Sequence, residues 1–460
     1  MPVPLFAERK QECTNPALLF EFFPPSMLRH RIFAFVASMV CLGSVLLRSQ
    51  SAPGYEHPPV NYSATTPRDG IMRLKLRLAK GDVALAGGEL QMVQTLLTEL
   101  GVSADTQTLV FSRTSFQRSR IRPDQPRALY FSDSFYVGWV PGGLVEVTAI
   151  DPQLGPVFYT MELPGGRRGA PKIERDADCL RCHGGAFVRE IPGVFVRSVF
   201  PDANGDPLLR HGTQLVDDET PFEQRWGGWY VTGYRGATAH RGNAFAFEKG
   251  DQLVFAPALK RPAELSAFFD TTAYLKPTSD VVALLVSEHQ MAVQNSLTHA
   301  GFAARRMTTY QHGLQKTFME PETDEPVYDS VKSVFASSAQ DVVDRLLFLH
   351  AAPLPSGITG HPNFVKNFAR GAPRSAGGHA LKDLQLGERL FAQRCSYLIY
   401  SESFRALPET LKVRILDRLD SALRSRDPKD RYAYLPSDEK QRIRDILIET
   451  HPDAKARWKN

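Results

Sequence analysis

Past residue 69 the hydrophobic positions follow two different periods. Residues 71–80 and 89–100 place apolar side chains three and four apart. In the second run Leu90, Val93, Leu96, Leu97 and Leu100 form one stripe that Gly101 closes, which predicts a pair of helices. Residues 108–161 change to short runs rich in Val, Phe, Tyr and Thr, broken at Asp133 and Ser134, at 141–143 and at 151–155, the pattern of β-hairpins. Strands are expected again at 194–200 and 227–234, with a turn at 202–206 containing Asn204 and Gly205. Helical patterning returns beyond residue 262, at 280–300, 381–400, 408–425 and 436–451, separated by Pro and polar turns. The predicted fold class is α+β, a sheet-rich centre followed by a helical C-terminal region.

The first 51 residues read differently. Leu28, Arg29, His30 and Arg31 precede an uncharged stretch of 16 residues, Ile32 to Leu47, and then Arg48, Ser49, Gln50 and Ser51. A basic n-region, an apolar h-region and small residues at its end outline a secretory leader, cut after Ser51 or retained as an inner-membrane anchor. The apolar run is shorter than the roughly 20 residues that span a bilayer, which favours cleavage. Glu8, Arg9, Lys10, Glu12 and Glu21 lie ahead of the n-region and point to Met27 as the true start. The expected layout is a targeting segment over 1–51, a linker over 52–68, an α+β region over 69–262, helices and loops over 263–375 and a helical domain over 376–460.

Charge and cysteine usage narrow the function. The chain carries +5; five basic and three acidic residues leave with the leader, so the mature chain carries +3. So even a balance gives no reason to expect nucleic acid as a partner, and any membrane contact would run through an uncleaved N-terminal segment. Of five cysteines, Cys13 and Cys41 fall in the targeting segment, and the remaining Cys179, Cys182 and Cys395 are too few for a disulfide scaffold.

Two of those three belong to a motif, Cys179-Leu180-Arg181-Cys182-His183. Thiols three positions apart add to the two vinyl groups of one porphyrin while the next imidazole reaches its iron. The motif therefore predicts one covalent haem c, held by Cys179 and Cys182 with His183 as proximal ligand. Attachment of this kind takes place outside the cytoplasm, where the leader would send the chain. A zinc site wants a second pair of ligands at similar spacing, which the mature chain lacks. A thioredoxin-type pair would open a helix after a strand, whereas Gly184 and Gly185 follow here. A disulfide across so short a loop would be strained and has no use for His183.

The second axial position has two histidine candidates. His240 sits on a Gly-bearing loop after an expected strand and is the first choice for a distal ligand; its alternative is a loop histidine bonded to backbone. His289 lies on a helical stripe with Val282, Leu285 and Val293, where a satisfied core histidine is the competing reading. Met291 and Met307 are weaker, and the position is otherwise open. Trp226, Trp229 and Tyr230 would wall a haem edge or fill a sheet core. Arg167, Arg168, Arg175 and Arg181 would pair with propionates or remain a solvated basic stretch.

Three uses of such a haem follow. The first is one-electron transfer with a redox partner protein in the periplasm. The second is a haem enzyme, peroxidase-like or oxidising a small molecule, with His240, His289 or Glu288 as acid or base over an open side; no catalytic residue is identified. The third is a sensor or docking protein, because a carrier needs far less chain than this.

The chain resembles a large family of bacterial exported single-haem proteins found notably in planctomycetes and acidobacteria, through stretches across most of the mature chain. They are Leu109 to Gln117, Pro126 to Phe131, Tyr136 to Gly138, Phe158 to Thr160, the C-x-x-C-H, Arg197 to Phe200, Arg225 to Gly233, Glu288 to Gln290 and Arg394 to Ser401. The resemblance implies a haem and no particular reaction. His-Met-Gly-Asn is frequent in the family where this chain has His240-Arg241-Gly242-Asn243, a departure that favours His240 or an open site over Met ligation. The segment from Gly387 through Leu390, Phe391 and Cys395 is similar to the opening helix of small cytochrome c domains, with Leu398 and Ile399 where the second Cys and the His would stand. This predicts a C-terminal cytochrome-like helical domain without haem, and Cys395 as a buried thiol.

Overall fold

Why one sheet forms in the middle of the chain is visible in the alternation of its strands. In the computed structural model, which describes residues 53–164, 171–250, 252–256 and 261–458, β1 (Thr108–Val110), β2 (Arg127–Phe131), β3 (Phe135–Trp139), β4 (Val145–Asp151), β5 (Gly155–Glu162) and β6 (Lys172–Arg175) are joined antiparallel by hairpins and loops. A later strand, β9 (Trp229–Tyr230), pairs with β1 and completes seven strands in the order β6-β5-β4-β3-β2-β1-β9. Between them the short pair β7 (Val196–Ser198) and β8 (Gln214–Val216) stands apart. The targeting segment lies outside the described residues.

With a period of two, each strand shows one residue set to each side. Tyr130, Val137, Trp139, Val147, Val157 and Tyr159 enter a core shared with helices α1 (Gly70–Lys80) and α2 (Glu89–Glu99). Asp69 caps α1, accepting the amides of Ile71 and Met72 at 2.9 and 3.1 Å, and takes the Tyr159 hydroxyl at 2.7 Å, so cap and sheet are tied together. Residues 53–68 depart from the expected linker: Tyr55, Val60 and Tyr62 are buried in this core, and the Tyr62 hydroxyl donates to the Pro156 carbonyl at 2.7 Å. Aromatic side chains in that stretch are worth more buried than the freedom they give up.

The other face of the sheet, through Phe131, Tyr136, Ile150 and Phe158, joins a larger core built on one long helix. After the short α3 turn (Leu180–His183), that helix, α4, spans Val281–Phe318 and runs well beyond the expected end at residue 300. Its first ten residues, 281–290, are buried on every side, since α5 (Asp329–Leu346) and the C-terminal segments cover what the sheet leaves open. Helices α8 (Glu409–Arg424) and α9 (Ser437–Thr450) follow the predicted limits closely; α6 (Pro362–Phe368) and α7 (Glu402–Arg405) are short. The class is α+β, a sheet-rich centre followed by C-terminal helices.

The helix expected at 381–400 does not form. Residues 384–396 run as bends with one bridge between Leu384 and Phe391, and only Tyr397–Tyr400 makes a 3-10 turn. Leu390, Phe391, Cys395, Tyr397, Leu398 and Ile399 are all buried, too dense a set for a single helical stripe, while Arg389 and Arg394 close around buried Glu439 at 2.8 and 2.7 Å. The expected cytochrome-like opening helix is therefore absent from this segment. These residues share their core with the sheet and α4, so the 263–375 and 376–460 regions have no separate interiors. Cys395 is fully buried, and burial pushes its thiol up to about 12.

Three stretches of the family resemblance meet on α4. Arg225 reaches Glu288 at 2.7 Å, and the Trp226 indole donates to the same carboxylate, with both charged side chains buried. Gln290 donates to the Ser132 carbonyl at 2.8 Å and accepts the Tyr397 hydroxyl at 2.6 Å. Removing one member of a buried pair strands the other charge, at a cost of about 3–5 kcal/mol. E288A should lose stability of that order in urea unfolding, and the double variant R225M/E288L should regain most of it; equal losses in both would show that the pair is not the cause.

Candidate haem-attachment site

The motif occupies a tight turn that follows β6. Asp176 accepts the Asp178 amide at 2.9 Å and starts a 3-10 turn, Ala177–Cys179, that continues directly into α3. Helical spacing of three and four then sets Cys179, Cys182 and His183 along one side of the turn. Both cysteines are free thiols, Cys182 exposed and Cys179 partly buried. Gly184 ends the turn where a Cβ would lie 2.5 Å from the Tyr55 hydroxyl, so the supposed linker is also the floor under the motif.

His183 is held at three points. Its Nδ1 lies 2.9 Å from the Gly193 carbonyl, and the Gly193 amide returns to the His183 carbonyl at 2.8 Å. The ring is flanked by Phe158 of β5 and by Phe195, with centroids at 5.0 and 4.8 Å. A carbonyl only accepts, so the proton sits on Nδ1 and Nε2 keeps its lone pair. Burial depresses the imidazole to about 4, against a smaller upward pull from the Gly193 bond, with Arg127 adding to the fall. A neutral ring with Nε2 free is the state an iron ligand requires.

Cys179 is in a different condition from the thiols of a redox pair. Burial, with Asp176 and Glu146 adding to it, pushes Cys179 up to about 12, whereas reactive CxxC thiols are made acidic.

Sequence reasoning missed the sheet surface beside the motif. Arg127 of β2 crosses over Gly138 of β3 to pair with Glu146 of β4; a Cβ on Gly138 would fall 2.1 Å from the guanidinium. Both charges act on the Cys179 thiol. Arg127 Nε and Glu146 Oε1 are buried without a hydrogen-bond partner. Unpaired buried polar atoms are uncommon and costly, so this face suits a further polar group. Thiols on one side of a turn, a neutral imidazole with Nε2 free and these unmet polar atoms together fit a haem. Arg127 lies in the Pro126 to Phe131 stretch of the resemblance, but nothing in its local pattern announces the strand-to-strand pairing.

Two of the arginines nominated from sequence have protein partners of their own. Arg175 donates to the carbonyls of Tyr62 and Thr65 at 2.7 and 3.0 Å and covers the Tyr62 ring; Arg181 is exposed and pairs with Asp178 at 3.2 Å. Arg167 and Arg168 lie outside the described residues. Arg197 lies over the exposed Phe187 ring.

Neither distal candidate shares a ring neighbour with His183. His240 sits in a box of Phe222, Trp226 and Tyr234, and its Nδ1 accepts the Gly242 amide at 3.0 Å. In the neutral ring the proton is then on Nε2, which leaves no lone pair there for a metal. His289 is fully buried, with Nδ1 3.1 Å from Asp218, Nε2 2.8 Å from Ser396 and its face stacked on Phe348 at 4.1 Å. Both of its nitrogens are engaged in holding loop, helix and C-terminal segment together. Trp226 is likewise in the core, and Trp229 donates to the Arg197 carbonyl at 2.7 Å.

Comparison with known protein families, curated proteins and solved structures finds no match to this chain.

The His240 box makes a pH prediction. Burial, helped by Arg261, lowers this imidazole from 6.5 to about 4. The unfolded chain takes up a proton near 6.5 while the folded one resists, so stability present above 6.5 is lost as pH falls toward 4. An NMR titration should find His240 neutral at pH 5.5, and H240F should shrink the fall in stability between 6.5 and 4; a midpoint near 6.5 would contradict the box.

Proposed function

We propose that this chain is an exported c-type haem protein, that Cys179 and Cys182 would carry one haem and His183 Nε2 would bind its iron, and that it transfers electrons to or from a partner protein in the periplasm. The observation that carries this reading is the Nδ1 bond of His183 to the Gly193 carbonyl, immediately beside two free thiols at haem spacing. Haem, when bound, supplies a one-electron iron couple whose potential the protein sets through the ligand, burial and hydrogen bonding.

The residues have separate tasks in this reading. His183 is kept neutral and oriented by Gly193, and Phe158 and Phe195 keep water from its faces. The exposed Cys182 places one edge of the site at the surface, where a partner can approach. Two polar atoms, Arg127 Nε and Glu146 Oε1, offer one donor and one acceptor next to Cys179.

A second reading is a haem enzyme or ligand sensor with an open distal side. It is favoured by the engagement of both distal candidates, His240 by Gly242 and His289 by Asp218 and Ser396.

Protein matured in a host that attaches haem c should keep its haem through acid acetone, and C179A/C182A should release it; haem extracted from the unsubstituted protein would rule out covalent attachment. Carbon monoxide separates the two uses. A ferrous spectrum unchanged by the gas fits a carrier, and rapid binding fits the enzyme or sensor.

A further inference from the structure

We infer that Asn295 is a positioning residue for the haem ligand, acting from the long helix through the Gly193–Val194 backbone; this rests on the haem reading above. Asn295 lies on α4, 101 residues from Val194 in sequence. Its Oδ1 accepts the Val194 amide at 3.0 Å and its Nδ2 donates to the Val194 carbonyl at 2.7 Å. Both ends of one side-chain amide are thus spent on the two backbone groups of a single residue. The orientation follows from the partners, because a reversed amide would set N–H against N–H and oxygen against oxygen.

The residue next to this clamp is the one that holds His183. Gly193 accepts from His183 Nδ1 at 2.9 Å and donates its amide to the His183 carbonyl at 2.8 Å. It is also wedged: a Cβ there would lie 2.9 Å from Asn295 Oδ1 and 2.7 Å from Val188. The Gly193 carbonyl therefore has its place set by Asn295 on one side and Val188 on another. A rigid helix reaches the iron ligand through two short bonds, the amide clamp and then the imidazole bond.

The consequence is chemical as well as structural. An Nδ1–H donated to a well-placed carbonyl makes the imidazole more basic and favours the ferric over the ferrous state. If the carbonyl drifts by an ångström, that bond lengthens past hydrogen-bond range and the ligand weakens. A side chain whose role was only to stabilise the loop would leave the redox equilibrium unmoved.

The test is the midpoint potential of the haem-loaded protein by spectroelectrochemistry. N295L, which keeps the size and loses both bonds, and N295A should shift the equilibrium toward ferrous by on the order of tenfold, a rise of about 59 mV for one electron. N295Q, which keeps the amide, should recover part of the shift. V293A is the control: it opens a cavity in the same helix at a fully buried position with no bond to Gly193 or Val194, and should lower stability without moving the potential. Covalent haem at an unchanged potential in both N295L and N295A, or an equal rise in V293A, overturns the inference alone. An unsubstituted protein without covalent haem overturns the haem reading and the inference together.

Discussion

Three polar residues in a row on one buried helix, Glu288, His289 and Gln290, set the terms for the rest of this structure. A buried polar group without a partner costs more than most single packing contacts return. Each therefore needs a partner, and each takes it from a different part of the chain: Arg225 and Trp226 from the central loops, Asp218 and Ser396 from either side of α4, Tyr136 and Tyr397 from the sheet and the C-terminal segment. Satisfying the three at once requires that sheet, loops and C-terminal region pack against α4 together. This is why the C-terminal segment gave up a helix of its own.

The same helix carries the network toward the C-x-x-C-H turn. Seven residues after Glu288, two helical turns along and on the same side, Asn295 meets the loop that orients His183. The C-x-x-C-H turn itself is short and its cysteines are partly exposed, so little of its geometry could come from its own packing. It borrows order from outside: Tyr55 below Gly184, Phe158 from the sheet, Gly193 from the following loop. A neutral imidazole with a directed lone pair is the product of those contacts.

Much of the fold was legible in local pattern. The helices at 70–80, 89–99, 409–424 and 437–450 and the hairpins between 108 and 161 have clean periods, and periodicity reports which face meets a core. The misses fall where the period was true and its cause was different. The apolar run around Phe391 and Cys395 is dense because it is wedged among other elements, and Tyr55 and Tyr62 are core residues in a stretch whose composition reads as loop. Composition describes what a segment contains, while burial depends on what arrives beside it from elsewhere.

For the candidate site the division is equally physical. The chemistry of attachment is local, because two thiols and an imidazole within five residues can serve one porphyrin whatever surrounds them, and the sequence alone was enough to nominate Cys179, Cys182 and His183. Which nitrogen of a histidine is free is not local. His183, His240 and His289 are alike as letters, and only tertiary structure distinguishes them: a carbonyl 10 residues away leaves one Nε2 open, an amide two residues away blocks another, and an aspartate and a serine 71 and 107 residues away occupy the third. The hydrogen-bond partner decides the tautomer, and the fold decides the partner.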